Sequence, residues 1–207
     1  MRINKILLLC LLITRAGCQY GMILMTNPRQ MVEAKYKLEK GKKIAILVDD
    51  YMSPIDSPGM KAELARKIGA GLVEAGAIRP ADLVSTQAIE QTPKDTSDNK
   101  KLSIQHIGKE LQADYVLYVN ITDFKLQAEA DNPLIQPRAT ANVKVIEVQT
   151  GERLWPVDAA GEPIEAKGKM EGELTTENSD NSKYSEQLTD LLAAKIMELF
   201  FSHRETD

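Results

Sequence analysis

The chain has 207 residues, 43% of them hydrophobic and 27% charged, and a net charge of −4. That length accommodates one substantial domain with extensions. The acidic balance excludes bulk attraction to nucleic acid, and an aromatic content of 5% leaves the core to aliphatic side chains.

Arg2 and Lys5 open the chain with positive charge, and an unbroken apolar run from Ile6 to Ile13 follows. The run is too short to span a bilayer. A charged start, a short apolar stretch and then small residues describe a secretory signal peptide over residues 1–17. Ala16-Gly17 directly before Cys18 resembles a bacterial lipobox, in which the cysteine becomes the lipidated first residue of the mature chain. Arg15 stands where a lipobox usually has Leu. Plain secretion and an uncleaved anchor are the alternatives. Cleavage before Cys18 removes Arg2, Lys5 and Arg15, taking the net charge from −4 to −7. It also removes Cys10, so Cys18 is left as the only cysteine and no intramolecular disulfide can form. Acyl chains on Cys18 would hold the protein to a membrane, each buried CH₂ contributing about 0.8 kcal/mol.

Residues 18–41 read as a tether, interrupted by Gly21, Asn27 and Pro28. Met22 to Met25 within it is either a segment packed on the domain or near lipid, or a contact strand for a partner. Met31 to Lys40 is polar and weakly helical. An α/β domain is expected over residues 42–203. Its first strand is the apolar run Lys42 to Asp50, whose β-branched content suits a central strand buried on both faces. Ser57 as cap and Pro58 at the first position predict a helix from Pro58 to Ala75, with Met60, Leu64, Ile68, Leu72 and Val73 at helical spacing. Gly69 and Gly71 suggest close packing on the sheet, and Gly76 is a natural stop. Pro80 to Ser85 reads as a short strand, Ser85 to Gln91 as one or two helical turns, and Thr92 to Lys101 as an exposed loop.

Ser103 caps a short helix with Ile104, Ile107 and Leu111 on its apolar face. The most β-prone run in the protein, Tyr115 to Phe124, follows directly. Strict alternation places Tyr115 and Tyr118 on opposite faces of it. Arg138 to Gln149 alternates as a strand whose phase shifts at Ile146 and Glu147, as a bulge would cause. Thr150-Gly151 turns the chain into a short strand carrying Trp155, and Ile164 to Leu174 reads as a last strand. Tyr184, Leu188, Leu191, Leu192, Ile196, Leu199 and Phe200 form the stripe of a closing C-terminal helix. This order predicts a single mixed-sheet α/β sandwich with helices mainly on one face.

Four stretches together carry a family resemblance: Lys43 to Asp50, Glu74-Ala75-Gly76, Ile107 to Phe124, and Val143 to Trp155. They resemble the superfamily of periplasmic lipoprotein domains related to the curli-secretion channel lipoprotein. Its relatives include the penicillin-binding-protein activator lipoprotein and the amino-terminal domain of the translocation protein TolB. In that pattern a glycine precedes Ala-Asp-Tyr-Val, and here Gln112 replaces it. The resemblance implies a non-enzymatic, membrane-anchored module facing the periplasm, held at the outer membrane through lipidated Cys18. It would act by protein–protein contact in secretion or envelope maintenance, with an envelope protein as partner. The alternative is a subunit of an oligomeric secretion pore, although no long amphipathic hairpin is evident.

Dedicated chemistry is thinly represented. Asp49, Asp50 and Asp56 cluster at the carboxyl end of the first strand, where open α/β sheets bind ligands. Three carboxylates could hold Ca²⁺ or Mg²⁺, yet their spacing matches no known cation loop, and a solvated loop is the plainer reading. His106 and His203 stand in no metal-ligand pattern. Neither a Gly-x-Ser-x-Gly elbow nor a phosphate loop occurs, so no catalytic residue and no cofactor is expected. An envelope hydrolase or metal-binding protein ranks behind both binding readings. Trp155 beside Pro156 is either a surface anchor for a partner or a ring packed over the sheet edge.

Overall fold

The computed structural model describes residues 30–50, 55, 59–91, 103–126, 137–168 and 181–204. In chain order the elements are β1 (Met31–Val32), β2 (Ile44–Asp49), α1 (Met60–Glu74), a 3-10 turn (Pro80–Asp82), α2 (Thr86–Gln91), α3 (Ile104–Glu110), β3 (Tyr115–Lys125), β4 (Arg138–Glu147), β5 (Arg153–Trp155), β6 (Glu162–Lys167), α4 (Asn181–Met197) and β7 (His203–Arg204). They belong to two compact units. The described part of one is the antiparallel pair β1–β7. The other, residues 33–202, is the α/β domain.

The domain is built on a mixed five-stranded sheet. β2 runs parallel to β3, from Ile44 opposite Tyr115 to Asp49 opposite Asn120. β3 runs antiparallel to β4. On its far side β4 pairs first with β5, at Val145 opposite Trp155, and then with β6, from Val143–Glu162 to Arg138–Lys167. β5 and β6 therefore lie end to end along one partner, separated by residues 156–161.

Alternation along these strands decides what each face buries. Tyr115, Leu117, Val119 and Ile121 of β3, with Ala139, Ala141, Val143 and Val145 of β4, point to one face and are buried. That face packs against the two long helices. α1 supplies Met60, Leu64, Ile68 and Leu72, and α4 supplies Leu188, Leu192 and Ile196. Each fully buried aliphatic side chain contributes roughly 1.5–3 kcal/mol. The pairing of β3 with β4 slips between Ile121 and Asp123, leaving Thr122 as the extra residue. This bulge reverses the phase and returns Phe124 to the core side. Leu38, within the segment read as a tether, is buried in the same core.

The opposite face is covered only over its first rows. α2 and α3 lie there over a smaller core of Ala45, Ala113, Val116 and Val148. α3 approaches the sheet closely because residue 108 is glycine. A Cβ there would sit 2.5 Å from Val148 Cγ2 and 3.0 Å from Val116 Cγ2. The two long helices on one side and two short ones on the other give the expected sandwich, closed by its C-terminal helix.

Two helices end in the same hydrogen-bond pattern. In α1 the Gly76 N–H donates to Val73 and the Ala77 N–H to Leu72; in α3 the Gln112 N–H donates to Lys109 and the Ala113 N–H to Gly108. Both are Schellman closures, which need a left-handed residue. Gly76 adopts it freely at φ 69°, whereas Gln112 is forced into it at φ 51°, a strain of roughly 1–2 kcal/mol for a residue with a Cβ.

Several elements differ from expectation. β2 lies at the edge of the sheet, not at its centre; Leu83 makes a single bridge to Ile44, and its burial comes from helices on both faces. Pro80 to Ser85 is a 3-10 turn plus that bridge, because buried Asp82 accepts hydrogen bonds from Arg79 and the Gly41 N–H and curls the chain. Gly59 with φ 82°, and no side chain, stands at the N-cap of α1. The expected cap Ser57 and Pro58 lie outside the described residues. Residues 31–40 hold no helix: β1 is followed by extended chain whose Tyr36 N–H donates to Leu199 O. Gly69 does pack toward the sheet, meeting Leu83 and Ile46, but Gly71 faces Met197 of α4. The strand expected from Ile164 to Leu174 is β6, Glu162–Lys167, with residues 169–174 outside the described ones, and Leu191 falls off the buried stripe of α4.

Candidate functional site

Beyond the short helices, the second sheet face turns polar. In β3 the side chains on this face run Val116, Tyr118, Asn120 and Thr122. Across the ladder in β4 stand Lys144 opposite Tyr118 and Asn142 opposite Asn120, and Asp49 of β2 flanks Asn120 on the other side. The result is a half-buried polar stripe of Asp49, Tyr118, Asn120, Asn142 and Lys144. It begins where the α2–α3 cover ends, at Leu47 and Tyr118, and lies at the carboxyl end of β2, where open α/β sheets take ligands.

Most groups along the stripe are fixed by one another. The Tyr118 hydroxyl donates to Asp49 Oδ2 at 3.2 Å, and the Asp50 N–H donates to Asp49 Oδ1 at 2.8 Å. Burial, then the adjacent Asp49 charge and hydrogen bond, push the Tyr118 phenol well above its ordinary range. It therefore stays a neutral donor. Further along, the Thr122 and Thr140 hydroxyls are 2.8 Å apart, and Thr122 also donates to the Thr140 carbonyl. Arg138 pairs with Asp123 at 3.0 Å.

Asn120 is the exception. Its Oδ1 is buried and has no donor among the described residues. A buried acceptor without a partner costs about 1–3 kcal/mol and calls for a reason. Strand pairing fixes its backbone between Asp49 and Asn142, while its half-buried side chain remains at the open face. The stripe thus offers an approaching molecule one buried acceptor, a carboxylate held by a tyrosine, and the Asn142 amide and Lys144 ammonium alongside.

The expected site residues disperse. Asp49 joins the stripe, but the Asp50 carboxylate turns away from it, binding Lys61 at 2.7 Å and accepting from the Ile55 N–H at 2.9 Å. Burial pushes the Asp50 carboxyl up, yet these hydrogen bonds and the Lys61 charge outweigh it and hold the group below its ordinary range. Asp50 therefore clamps the start of α1 to the end of β2. Asp56 lies outside the described residues, as do Cys18 and Met22 to Met25. Among the described residues no group of three or more His, Cys, Asp and Glu could hold a metal ion. His106 sits 3.9 Å from Glu110 on exposed α3. Trp155 is half-buried, its ring 5.8 Å from both Tyr36, tilted against it, and Phe200, edge-on to it, so it packs the sheet edge.

The reading of the sequence passed over Asn120, Asn142 and Lys144. The available signal was alternation: Tyr118, Asn120 and Thr122 against Leu117, Val119 and Ile121, matched by Thr140, Asn142 and Lys144 in the facing strand.

No family model and no curated protein matches the chain. Among solved structures it is similar to a PelC dodecamer subunit from Paraburkholderia phytofirmans, at 15% identity and a TM-score of 0.43 over 82% of this chain and 94% of that one. It is also similar to lipoprotein GNA1162 from Neisseria meningitidis, at 16% identity and a TM-score of 0.43 over 72% and 93% of the two chains. A DUF330 protein from Xanthomonas campestris gives 11% identity and a TM-score of 0.41 over 78% and 82%.

Proposed function

We propose that this chain is a lipid-anchored bacterial envelope protein, tethered through Cys18, that works without catalysis as a protein-binding module. Its docking surface is the polar stripe of Asp49, Tyr118, Asn120, Asn142 and Lys144. The observation that carries this reading is the buried Oδ1 of Asn120, which has no donor among the described residues. Rotation of the half-buried Asn120 amide presents this oxygen to a partner's N–H, from backbone or side-chain amide, while Asn142 and Lys144 add hydrogen bonds at the rim. Groups that could otherwise do chemistry are committed to structure: Asp50 to Lys61, Asp82 to Arg79, and Tyr115 to Glu39. The resemblance to periplasmic lipoprotein domains extends the reading to assembly or regulation in secretion or envelope maintenance at the outer membrane.

Membrane fractionation of wild type and Cys18→Ala tests the anchor. Release of the variant into the soluble fraction is expected, and retention in the membrane would refute lipidation. Crosslinked pull-down from envelopes with wild type and a folded Asn120→Val variant tests the surface. Loss of one specific partner is expected, and an unchanged partner set would refute the assignment.

A further inference from the structure

Gln112 is the one non-glycine residue with a left-handed backbone among the described residues. Gly76 closes α1 in the same geometry without strain, so α3 would close equally well with glycine at 112. Nothing within the described residues compensates the choice, for the Gln112 carboxamide makes no hydrogen bond there. Gln112 instead borders an open cleft of about 310 Å³, together with Lys42, Lys109, Asp114, Glu147 and Gln149. Backbone strain kept at a residue that borders a cleft points to a ligand in that cleft.

The cleft lies at the opposite end of β3 from the polar stripe, about 17 Å from Asn120 along the strand. Lys109 of α3, Tyr115 of β3 and Glu147 of β4 frame it, and the turns next to them supply its other residues. The bonding state of its groups defines what fits. The ammonium groups of Lys42 and Lys109 have no carboxylate partner among the described residues. The two acids are each partly used by a neutral donor, Asp114 Oδ2 by the Lys43 N–H at 2.7 Å and Glu147 Oε2 by the Thr150 hydroxyl at 2.8 Å. Open cationic donors and carboxamides suit a carboxylate. The remaining acceptor capacity of the two acids suits an ammonium and disfavours a doubly charged anion. The volume is at the small end of ligand sites.

We propose that this cleft binds a small zwitterion, an amino acid or short peptide, with its carboxylate held by Gln112 and the lysines and its ammonium by Asp114 and Glu147. The test is titration of the ¹⁵N-labelled protein with L-alanyl-L-alanine, its N-acetyl amide and inorganic phosphate, following the amides of Ala113 and Val148. Saturable shifts with the free dipeptide, absent with the capped form and weaker with phosphate, are expected. Gln112→Gly should raise the melting temperature while weakening dipeptide binding at least about fivefold, and Lys109→Ala should weaken it similarly. No saturable shift by about 20 mM, an equal response to the capped dipeptide, tighter binding of phosphate, or wild-type affinity in Gln112→Gly would each overturn the assignment.

Discussion

Replacing Asn120 with valine should make this protein more stable and less able to bind. The buried Oδ1 has no donor among the described residues, so the folded state carries an unsatisfied acceptor worth about 1–3 kcal/mol. Valine removes that acceptor and suits the interior of an eleven-residue strand, where β-branched residues gain up to about 1 kcal/mol. Against this stands imperfect fit of two methyl groups where a planar amide sat, an overpacking term of about 1 kcal/mol. The net expectation is stabilisation of about 1–2 kcal/mol, or a rise of about 2–8 °C in melting temperature for a chain of this size. Thermal and urea unfolding, followed by circular dichroism, read it directly. A fall of more than about 2 °C would refute the reasoning, because it would mean the oxygen already has a donor in the native fold. A gain in stability together with a loss of binding is the trade-off expected of a site strained for function.

Gly108→Ala should destabilise by about 1–2 kcal/mol: the new methyl meets Val148 Cγ2 at 2.5 Å, and stiff valine rotamers make overpacking outweigh the gain of about 1 kcal/mol in helix propensity; an unchanged urea midpoint would contradict the close approach of α3. Trp155→Ala should cost about 2–3 kcal/mol, at the low end for a large aromatic because the ring is only half-buried between Tyr36 and Phe200, and a loss confined to partner binding would favour the surface-anchor reading instead. The carboxyls of Asp50 and Asp82 are held below their ordinary range, Asp82 by the Arg79 hydrogen bond and Asp50 by those of Lys61 and Ile55 despite its burial. Depressed carboxyls stabilise the fold above their unfolded pKa of about 3.9, and that contribution is lost as pH falls through the lower folded values. The urea midpoint should therefore hold between about pH 8 and pH 5 and fall below about pH 4, and Asp50→Asn should reduce that acid dependence.

What could be read from the sequence followed from periodicity. Leu117, Val119 and Ile121 marked the core face of β3, and Leu188, Leu192 and Ile196 marked α4, because each pattern repeats at the period of its element. Ser103 was legible as a cap because a hydroxyl before an apolar turn has one good use, and it accepts from the His106 N–H as expected. Position in the sheet was not legible: an apolar run such as Ile44 to Val48 looks the same at an edge as at the centre when helices cover both faces. Tertiary hydrogen bonds were equally hidden. Asp82 reaches back to Gly41, and no local pattern reveals a carboxylate folding its own turn. The site was half visible. Asp49 stood at the end of a strand where ligands bind, but its neighbours Asn120 and Asn142 come from two strands whose register only the fold sets. Gln112 shows the converse: the departure from glycine was plain in the sequence, but its consequence emerged only with the left-handed backbone and the cleft beside it.

The stripe as a docking surface is tested most directly by site-specific photocrosslinking in living cells. One probe replaces Asn142 within the stripe, and a control replaces Arg66 on the exposed outer side of α1. A discrete adduct with one envelope protein from position 142, absent from position 66, is the predicted result. No adduct from 142, or the same adducts from both positions, would contradict it.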